Sequence, residues 1–305
     1  MISTHQLCYE THGNSNDPCM MLINGIGGQL IDWPKLFING LVKHGFYVVT
    51  LDNRDSGLSR SYDELGVPDL QALVEAKQQG KEINIPYTLE NMAQDVITLM
   101  DDLQIKQAHI LGGSMGGIIT QYVALNFPER VLSLICYATT SGDPALPPPK
   151  PEVMAYFSTA MMARAQSFED KINNKLTLFK IYNHPDYFDE NKTKERIISA
   201  LQRANHPDGF KRLMIAMVTA MPRTELLKQL HCPCLVIHGD YDPAFPLEHG
   251  KQLADCIAGS HLEIIDKMGH GIPDGLCHKV IDVILKFIVR LNRKQSKTRG
   301  KANVL

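Results

Sequence analysis

The chain has 305 residues, of which 44% are hydrophobic, so it can bury a large core and lies near the upper limit for one compact domain. Its 31 Lys and Arg residues nearly balance 33 Asp and Glu residues, and the formal charge of −2 gives no reason to expect nucleic acid or an anionic membrane as a partner. Seven cysteines, an odd number, favour a reducing compartment over a disulfide framework.

Six short apolar runs bounded by turn residues predict strands. They lack the strict alternation of apolar and polar residues that a half-exposed sheet shows, and amphipathic stretches separate most of them, which is typical of a parallel sheet covered by helices on both faces. The runs are CMMLING (19–25), FYVVTLD (46–52), AHILGG (108–113), LSLICYA (132–138), CLVIHGD (234–240) and LEIID (262–266). The segment QLCYETHG before them suggests an antiparallel edge strand or hairpin.

Helices are expected between these strands. Thr88 is a predicted N-cap, with Asn91 three residues later in the position of a capping box. The predicted helices span about 30–44, 88–104, 115–127, 247–257 and 275–292. Residues 61–87 are polar and predict a surface excursion.

One long interruption divides the predicted fold. The proline-rich segment SGDPALPPPKPE (141–152) is followed by about 75 residues with helical patterning before the next strand, which indicates a helical cap inserted above the sheet. Helices are expected at about 152–165, 168–182, 192–204 and 207–220. We therefore assign residues 1–140 and 228–290 to an α/β core and residues 141–227 to the cap.

The C-terminal residues 291–305 form a basic tail that we predict to be disordered and solvated, with docking to nucleic acid or anionic lipid as the alternative. The N-terminus has no basic start followed by an apolar segment, and no apolar run approaches the roughly 20 residues of a membrane span. The sequence thus predicts a soluble, cytoplasmic protein without a membrane or nucleic-acid partner. It leaves the oligomeric state open, a homodimer included.

Four glycines surround Ser114 in the stretch GGSMGG, between a predicted strand and a predicted helix. The stretch fits the G-x-S-x-G pattern, in which a serine occupies a strained strand-to-helix turn and the flanking glycines, here Gly112 and Gly116, leave room for close backbone approach. Such a turn lifts the serine hydroxyl above the carboxyl edge of the sheet, where open α/β sheets bind ligands. We predict Ser114 to be a nucleophile.

A serine nucleophile needs an imidazole as base and a carboxylate to orient that imidazole. Asp242 follows the strand CLVIHG, and His270 lies between two glycines just after the next strand. We assign Asp242 as the acid and His270 as the base. Asp240 is the alternative acid, although it could instead cap the turn.

The oxyanion of an acyl-transfer intermediate needs two donors. The N–H of Met115 begins the helix after Ser114, and the glycine-rich loop NGIGGQ (24–29) offers the N–H of Ile26. The Cys-x-Cys of HCPCLVIH lacks the usual zinc spacing, and the glycine loop matches no nucleotide-binding pattern, so we expect no metal and no other cofactor.

At these residues the chain resembles the α/β-hydrolase superfamily, and more narrowly the esterases similar to aclacinomycin methylesterase, over roughly 5–140 and 228–290. The resemblance rests on LINGIGGQLIDW, LDNRDSGLS, GGSMGGIITQYVAL and HGDYDPAFPLEHGKQLA with MGHGIP. It implies a mostly parallel eight-stranded sheet, a helical cap after strand six and hydrolysis of a carboxylic ester without a cofactor. It also implies the triad Ser114, Asp242 and His270, with Ile26 and Met115 as oxyanion donors.

The chain departs from that family in two loops. Asn24 stands where a histidine is usual, which changes the side chain that supports the oxyanion loop. Asp55 replaces a common glycine, and we interpret Arg54 and Asp55 as a structural ion pair, with substrate contact as the alternative.

Methionines recur at helical spacing in the cap, at Met154, Met161 and Met162 and again at Met214, Met217 and Met221. They either pack the cap helices together or line an adaptable apolar pocket above Ser114. For that pocket we predict Trp33, Met154, Phe157, Met161 and Met217. An ester with a small, largely apolar body is then expected as substrate, with carbon–carbon bond hydrolysis, lactone hydrolysis or a ligand-sensing receptor as alternatives.

Overall fold

The computed structural model describes residue 1, residues 7–162 and residues 167–302. In this part of the chain, seven strands form one sheet in the order β1-β3-β2-β4-β5-β6-β7, parallel throughout except for β1. The strands are β1 (Tyr9–His12), β2 (Cys19–Ile23), β3 (Tyr47–Leu51), β4 (Ala108–Gly113), β5 (Val131–Tyr137), β6 (Cys234–Gly239) and β7 (His261–Ile265). The six predicted runs and the antiparallel edge strand are confirmed. The sheet has seven described strands where eight were implied, and residues 2–6 lie outside the described part.

Helices cover both faces of this sheet. Outside the cap they are α1 (Lys35–Lys43), α2 (Leu70–Gln78), α3 (Leu89–Asp102), α4 (Met115–Asn126), α10 (Leu247–Cys256) and α11 (Cys277–Ala302). The capping box predicted for α3 is present: the Asn91 N–H donates to the Thr88 hydroxyl, and the Thr88 N–H donates to the Asn91 side-chain oxygen. The helix predicted at 30–44 is divided by Pro34, which follows a short 3₁₀ turn at Leu30–Asp32 and precedes α1.

Burial on both faces explains the unbroken apolar runs of the central strands. In β2, Met21 and Ile23 belong to the hydrophobic cluster on one side of the sheet, while Met20 and Leu22 belong to the cluster on the other. Since alternate side chains of a strand point to opposite faces, both sets must be apolar.

Among its described residues, the cap has five α-helices between β5 and β6. They are α5 (Pro151–Met162), α6 (Phe168–Tyr182), α7 (Glu190–Arg203), α8 (Pro207–Thr219) and α9 (Thr224–Leu227). Residues 163–166, within the first helix predicted for the cap, lie outside the described residues. A small cluster of Ile172, Ile197 and Leu201 joins α6 to α7.

A buried ion pair between Arg212 and Asp55 joins the cap to the core. Arg212 of α8 donates to both carboxylate oxygens of Asp55, at 2.8 and 2.7 Å, and to Asp63 at 2.7 Å. Arg54 contacts Asp95 of α3 instead, at 2.6 and 2.7 Å. The expected pair between Arg54 and Asp55 is therefore wrong, because each residue has a partner on a different neighbouring helix. Both are structural contacts.

The C-terminal segment differs from the expected disorder. Helix α11 continues to Ala302, so residues 291–302 are helical, and residues 303–305 lie outside the described part. The segment NRKQSKTR carries good helix formers and no proline, which is compatible with continuation of the helix. None of the described helices is both long and apolar enough to cross a membrane.

Candidate active site

Ser114 occupies the turn between β4 and α4 in a backbone conformation that is strained for a serine. Its φ of 54° and ψ of −125° lie outside the regions that non-glycine residues ordinarily adopt. Its N–H donates to the carbonyls of Tyr137 and Ala138, at 3.1 Å each, and so anchors the turn to the end of β5. The half-buried side chain lines a cavity between sheet and cap.

The two flanking glycines make this turn possible. A Cβ on Gly116 would overlap the carbonyl oxygen of Ile23, and a Cβ on Gly112 would overlap the carbonyl oxygen of Gly116. The steric reason predicted for both glycines is therefore confirmed: α4 starts in direct backbone contact with the end of β2.

Asp242 and His270 form a buried hydrogen-bonded pair at the same edge of the sheet. The Nδ1 of His270 lies 3.0 and 2.9 Å from the two carboxylate oxygens of Asp242. Because a carboxylate accepts, Nδ1 carries the proton in the neutral ring and Nε2, on the opposite side, has a free lone pair. His270 and Ser114 line the same cavity.

Backbone donors hold the Asp242 carboxylate in place. The N–H groups of Ala244 and Phe245 donate to its Oδ1 at 2.8 and 3.0 Å. Burial alone would raise the pKa of Asp242, but the charge and hydrogen bond of His270, together with the Phe245 N–H, hold it below its ordinary value. Asp242 is therefore an ionised partner for the imidazole.

The alternative acid, Asp240, does not contact His270. It is exposed, and its side chain accepts from the Lys267 N–H at 2.7 Å, which ties the loop after β6 to the loop after β7. Asp240 thus has the turn-capping contact that the sequence left open.

The expected oxyanion donors flank Ser114. Met115 is the first residue of α4, so its N–H has no intrahelical acceptor. A Cβ on Gly25 would lie 3.0 Å from the Ser114 Cβ, which places the loop of Ile26 beside the nucleophile, and Ile26 lines the cavity. Asn24 supports this loop by donating from its Nδ2 to the Gln29 carbonyl at 2.8 Å. Asn24, which stands where a histidine is usual, therefore has a structural role in this loop.

The cavity has a volume of about 440 Å³, within the range of small-molecule sites. Trp33 and Phe157 line it as expected, but Met154, Met161 and Met217 are not among its described lining residues. Met154 is 50% exposed, and Met217 packs against the main hydrophobic cluster. The prediction is wrong for these three residues because helical spacing does not specify which face of a cap helix turns to the sheet.

Sequence reasoning missed much of the cavity wall. Tyr182 of α6 accepts the His270 N–H at its carbonyl, at 2.9 Å, and its ring centroid lies 4.7 Å from the imidazole centroid. The cavity is also lined by further aromatic and charged side chains, including Tyr137, Tyr156, Phe179, Phe210, Asp32, Lys175 and Arg196. On a helix, such residues have the same pattern as an ordinary amphipathic face, so the sequence carries no signal for them.

A second histidine, His238, lies on the other side of Asp242. Its Nε2 is 2.7 Å from the Phe245 carbonyl and 3.6 Å from the Asp242 Oδ2, and the side chain is fully buried. Burial lowers the pKa of His238, although the Asp242 charge and the Phe245 carbonyl oppose that effect. Neutral His238 donates from Nε2 to the Phe245 carbonyl, and so supports the loop whose Ala244 and Phe245 N–H groups donate to Asp242. His238 is the penultimate residue of β6, the strand that precedes Asp242.

A serine at a strand-to-helix turn, with a carboxylate and an imidazole at the same sheet edge, defines a hydrolase class of site. A family model for the alpha/beta hydrolase fold matches residues 18–274. The chain therefore belongs to the alpha/beta hydrolase fold family, and the predicted hydrolase class is confirmed.

Individual relatives cover most of the chain. It is 27% identical over 282 residues to rhodomycin D methylesterase DnrP of Streptomyces peucetius, covering 86% of this chain and 87% of the relative. It is 26% identical over 260 residues to 3-oxoadipate enol-lactonase 2 of Acinetobacter baylyi, covering 85% of each. The enol-lactonase structure from Burkholderia xenovorans matches with a TM-score of 0.72 at 22% identity, over 93% of this chain and 96% of that one, which shows a shared fold.

Proposed function

We propose that the chain hydrolyses a carboxylic ester through an acyl-enzyme formed on Ser114. The observation that carries the proposal is the His270 imidazole, held through Nδ1 by Asp242 at 2.9 Å and lining one cavity with Ser114. In the first step Nε2 of His270 removes the hydroxyl proton as the Ser114 oxygen attacks the ester carbonyl. The negative charge on the carbonyl oxygen is stabilised by the N–H groups of Ile26 and Met115.

Collapse of the tetrahedral intermediate breaks the bond to the alkoxy group. His270 gives its proton to the departing alcohol, and the acyl group stays on Ser114. A water molecule then enters and attacks the acyl carbonyl while His270 takes its proton. Collapse of this second tetrahedral intermediate breaks the bond between the acyl carbon and the Ser114 oxygen, which takes the proton back from His270, and the acid is released. Asp242 remains ionised throughout and stabilises the imidazolium that forms twice in each cycle.

Lactone hydrolysis is the second candidate, because it uses the same steps on a cyclic ester. Similarity to an enol-lactonase supports it, and similarity to a methylesterase supports an open-chain ester. Aromatic residues of the cavity, such as Trp33, Phe157 and Phe210, favour a substrate whose body is largely apolar.

The test compares the hydrolysis of p-nitrophenyl acetate and butyrate by the unchanged protein and by Ser114→Ala. We expect kcat/KM to fall by at least about a thousandfold, because the nucleophile is lost. Ser199→Ala is the matched control: this serine lies exposed on α7, where its hydroxyl donates to the Glu195 carbonyl at 2.9 Å.

Labelling with a fluorophosphonate probe, followed by peptide mapping, provides a readout independent of substrate choice. Modification of Ser114 with many turnovers of an ester supports the enzyme. Undiminished turnover in Ser114→Ala would refute the assignment, and a single slow covalent event without turnover would favour a ligand-sensing receptor.

A further inference from the structure

Three cations of the cap line the cavity that contains Ser114, namely Lys175, Lys192 and Arg196. Lys175, on α6, is half-buried, whereas Arg196, on α7, is exposed. Lys175 also lines a second cavity of about 470 Å³, which shares Gly27, Tyr156 and Phe210 with the first. Lys175 thus stands where the two spaces adjoin.

The nearest charge of opposite sign is Asp32, which follows the oxyanion loop. Its carboxylate is held by the Gln29 N–H at 2.7 Å. Burial raises the pKa of Asp32, while that N–H and the charges of Lys175 and Arg196 oppose the effect. Burial lowers the pKa of Lys175, and only the Asp32 charge opposes it. These three charges are therefore close enough to influence one another.

Asp32 does not form a direct ion pair with either cation. Over residues 7–162 and 167–302, neither the Lys175 ammonium nor the Arg196 guanidinium forms a salt bridge with a carboxylate. Asp32 thus acts on Lys175 and Arg196 through its charge only, and the N–H groups of both cations form no salt bridge with a described carboxylate.

Other acids on the wall are engaged elsewhere or lie at the rim. Asp186 pairs with Lys267 at 2.6 Å, and Asp189 accepts from the Lys192 N–H at 3.0 Å as the N-cap of α7. Asp274 is exposed. Lys192, the remaining cation of the wall, is exposed as well. Close to Asp32, the two cations Lys175 and Arg196 therefore outnumber the single carboxylate.

We propose that Lys175 and Arg196 form a subsite for a carboxylate that the ester substrate carries away from its reacting carbonyl. This inference rests on the proposed ester hydrolysis, and it refines the expectation of a largely apolar substrate. The substrate class is a monoester of a dicarboxylic acid or a carboxylate-bearing lactone, with the ester at Ser114 and the free acid at the cap. The half-buried Lys175 binds a carboxylate more strongly than an exposed lysine does, because its charged hydrogen bond forms where less water competes, and the exposed Arg196 adds a planar guanidinium suited to a carboxylate.

The kinetic test uses two substrate series of equal length. One consists of the mono-p-nitrophenyl esters of succinate, glutarate and adipate, whose far end is a free carboxylate, and the other of their methyl p-nitrophenyl diesters, which are neutral. For at least one length we expect kcat/KM to favour the anionic ester, and this preference to fall about ten- to a hundredfold in Lys175→Gln and in Arg196→Gln. Lys180→Gln, on the exposed part of α6, is the control and should keep the preference.

Binding is measured separately, so that it does not depend on turnover. Titration calorimetry on Ser114→Ala compares monomethyl adipate with dimethyl adipate. We expect tighter binding of the monomethyl ester, a difference that shrinks with added salt and disappears when Lys175→Gln is combined with Ser114→Ala.

The outcomes separate the two proposals. Ser114-dependent hydrolysis of both series at the same rate, with an unchanged ratio in the two cap variants, overturns the carboxylate subsite and leaves the esterase intact; the cations then act only as counterions of Asp32. If neither series is hydrolysed, the esterase proposal fails for these esters, and the calorimetry still decides the subsite: equal affinity for the two adipates would overturn it.

Discussion

The carboxyl edge of the sheet and the cap that faces it are stabilised in different ways. At the edge, backbone groups hold the reacting side chains: the amides of Ala244 and Phe245 hold Asp242, and the carbonyl of Tyr182 holds the backbone of His270. Such contacts tolerate little displacement, because each depends on the course of the main chain.

The cap is fixed instead by side-chain ions. Arg212, whose side chain is 1% exposed, joins α8 to the fully buried Asp55. Arg223, between α8 and α9, donates from Nε to Gln121 at 2.9 Å and from Nη2 to the Thr140 carbonyl at 3.1 Å. The comparison indicates that edge substitutions should affect the chemistry first, whereas cap substitutions should affect stability and substrate choice.

The largest effect is expected from Asp242→Asn. The amide cannot hold the His270 tautomer or stabilise the imidazolium, so kcat for p-nitrophenyl butyrate should fall about 10³- to 10⁴-fold. The matched control is Asp240→Asn, at an exposed turn two residues earlier, which should retain most of the activity. Equal losses in both variants would show that loop geometry, and not the carboxylate at His270, determines the rate.

The cap contact is tested by Arg212→Met. Removing the guanidinium leaves the Asp55 carboxylate buried without its cation, which should lower the free energy of unfolding by about 3–5 kcal/mol. Lys228→Met is the control, since its 2.6 Å pair with Glu225 lies on the surface, where water and salt screen it, and should contribute little to stability. Denaturant unfolding measures both; similar losses in the two variants would contradict the structural role of the buried pair.

The same division explains what the sequence could predict. Ser114 directly follows β4, and Asp242 and His270 lie in the loops after β6 and β7, so the parallel sheet brings all three to one edge whatever the intervening chain does. Lys175 and Arg196 lie within amphipathic helices whose rotation about their axes depends on packing, which helical spacing alone does not determine. Asp55 and Arg212 are 157 residues apart, and nothing local to either residue indicates the other.

Substitutions of the two glycines beside His270, Gly269 and Gly271, test the contact between the loop after β7 and helix α6 of the cap. A Cβ on Gly269 would overlap the Tyr182 carbonyl oxygen, whereas a Cβ on Gly271 would have no neighbouring atom within 4 Å. We expect Gly269→Ala to destabilise the fold by about 1–3 kcal/mol and to lower esterase activity, because it displaces the acceptor of the His270 N–H. Gly271→Ala should change both by much less; the reverse order would contradict the close contact of α6 with this loop.

The smallest effect concerns pH. Burial lowers the pKa of His238 in the folded chain below its ordinary value of 6.5. Below pH 6.5, His238 is therefore protonated in the unfolded chain before it is protonated in the folded chain, and this difference favours unfolding. The stabilising contribution is therefore complete above about pH 6.5 and is lost as the pH falls towards the folded pKa, by at most about 1.4 kcal/mol per pH unit.

His238→Gln should reduce this acid dependence while its amide can still donate to the Phe245 carbonyl. Thermal or urea unfolding between pH 7 and pH 5 measures the slope, with His261→Gln on the exposed side of β7 as the control. A slope equal to that of the unchanged protein would mean that His238 accepts its proton in the folded state.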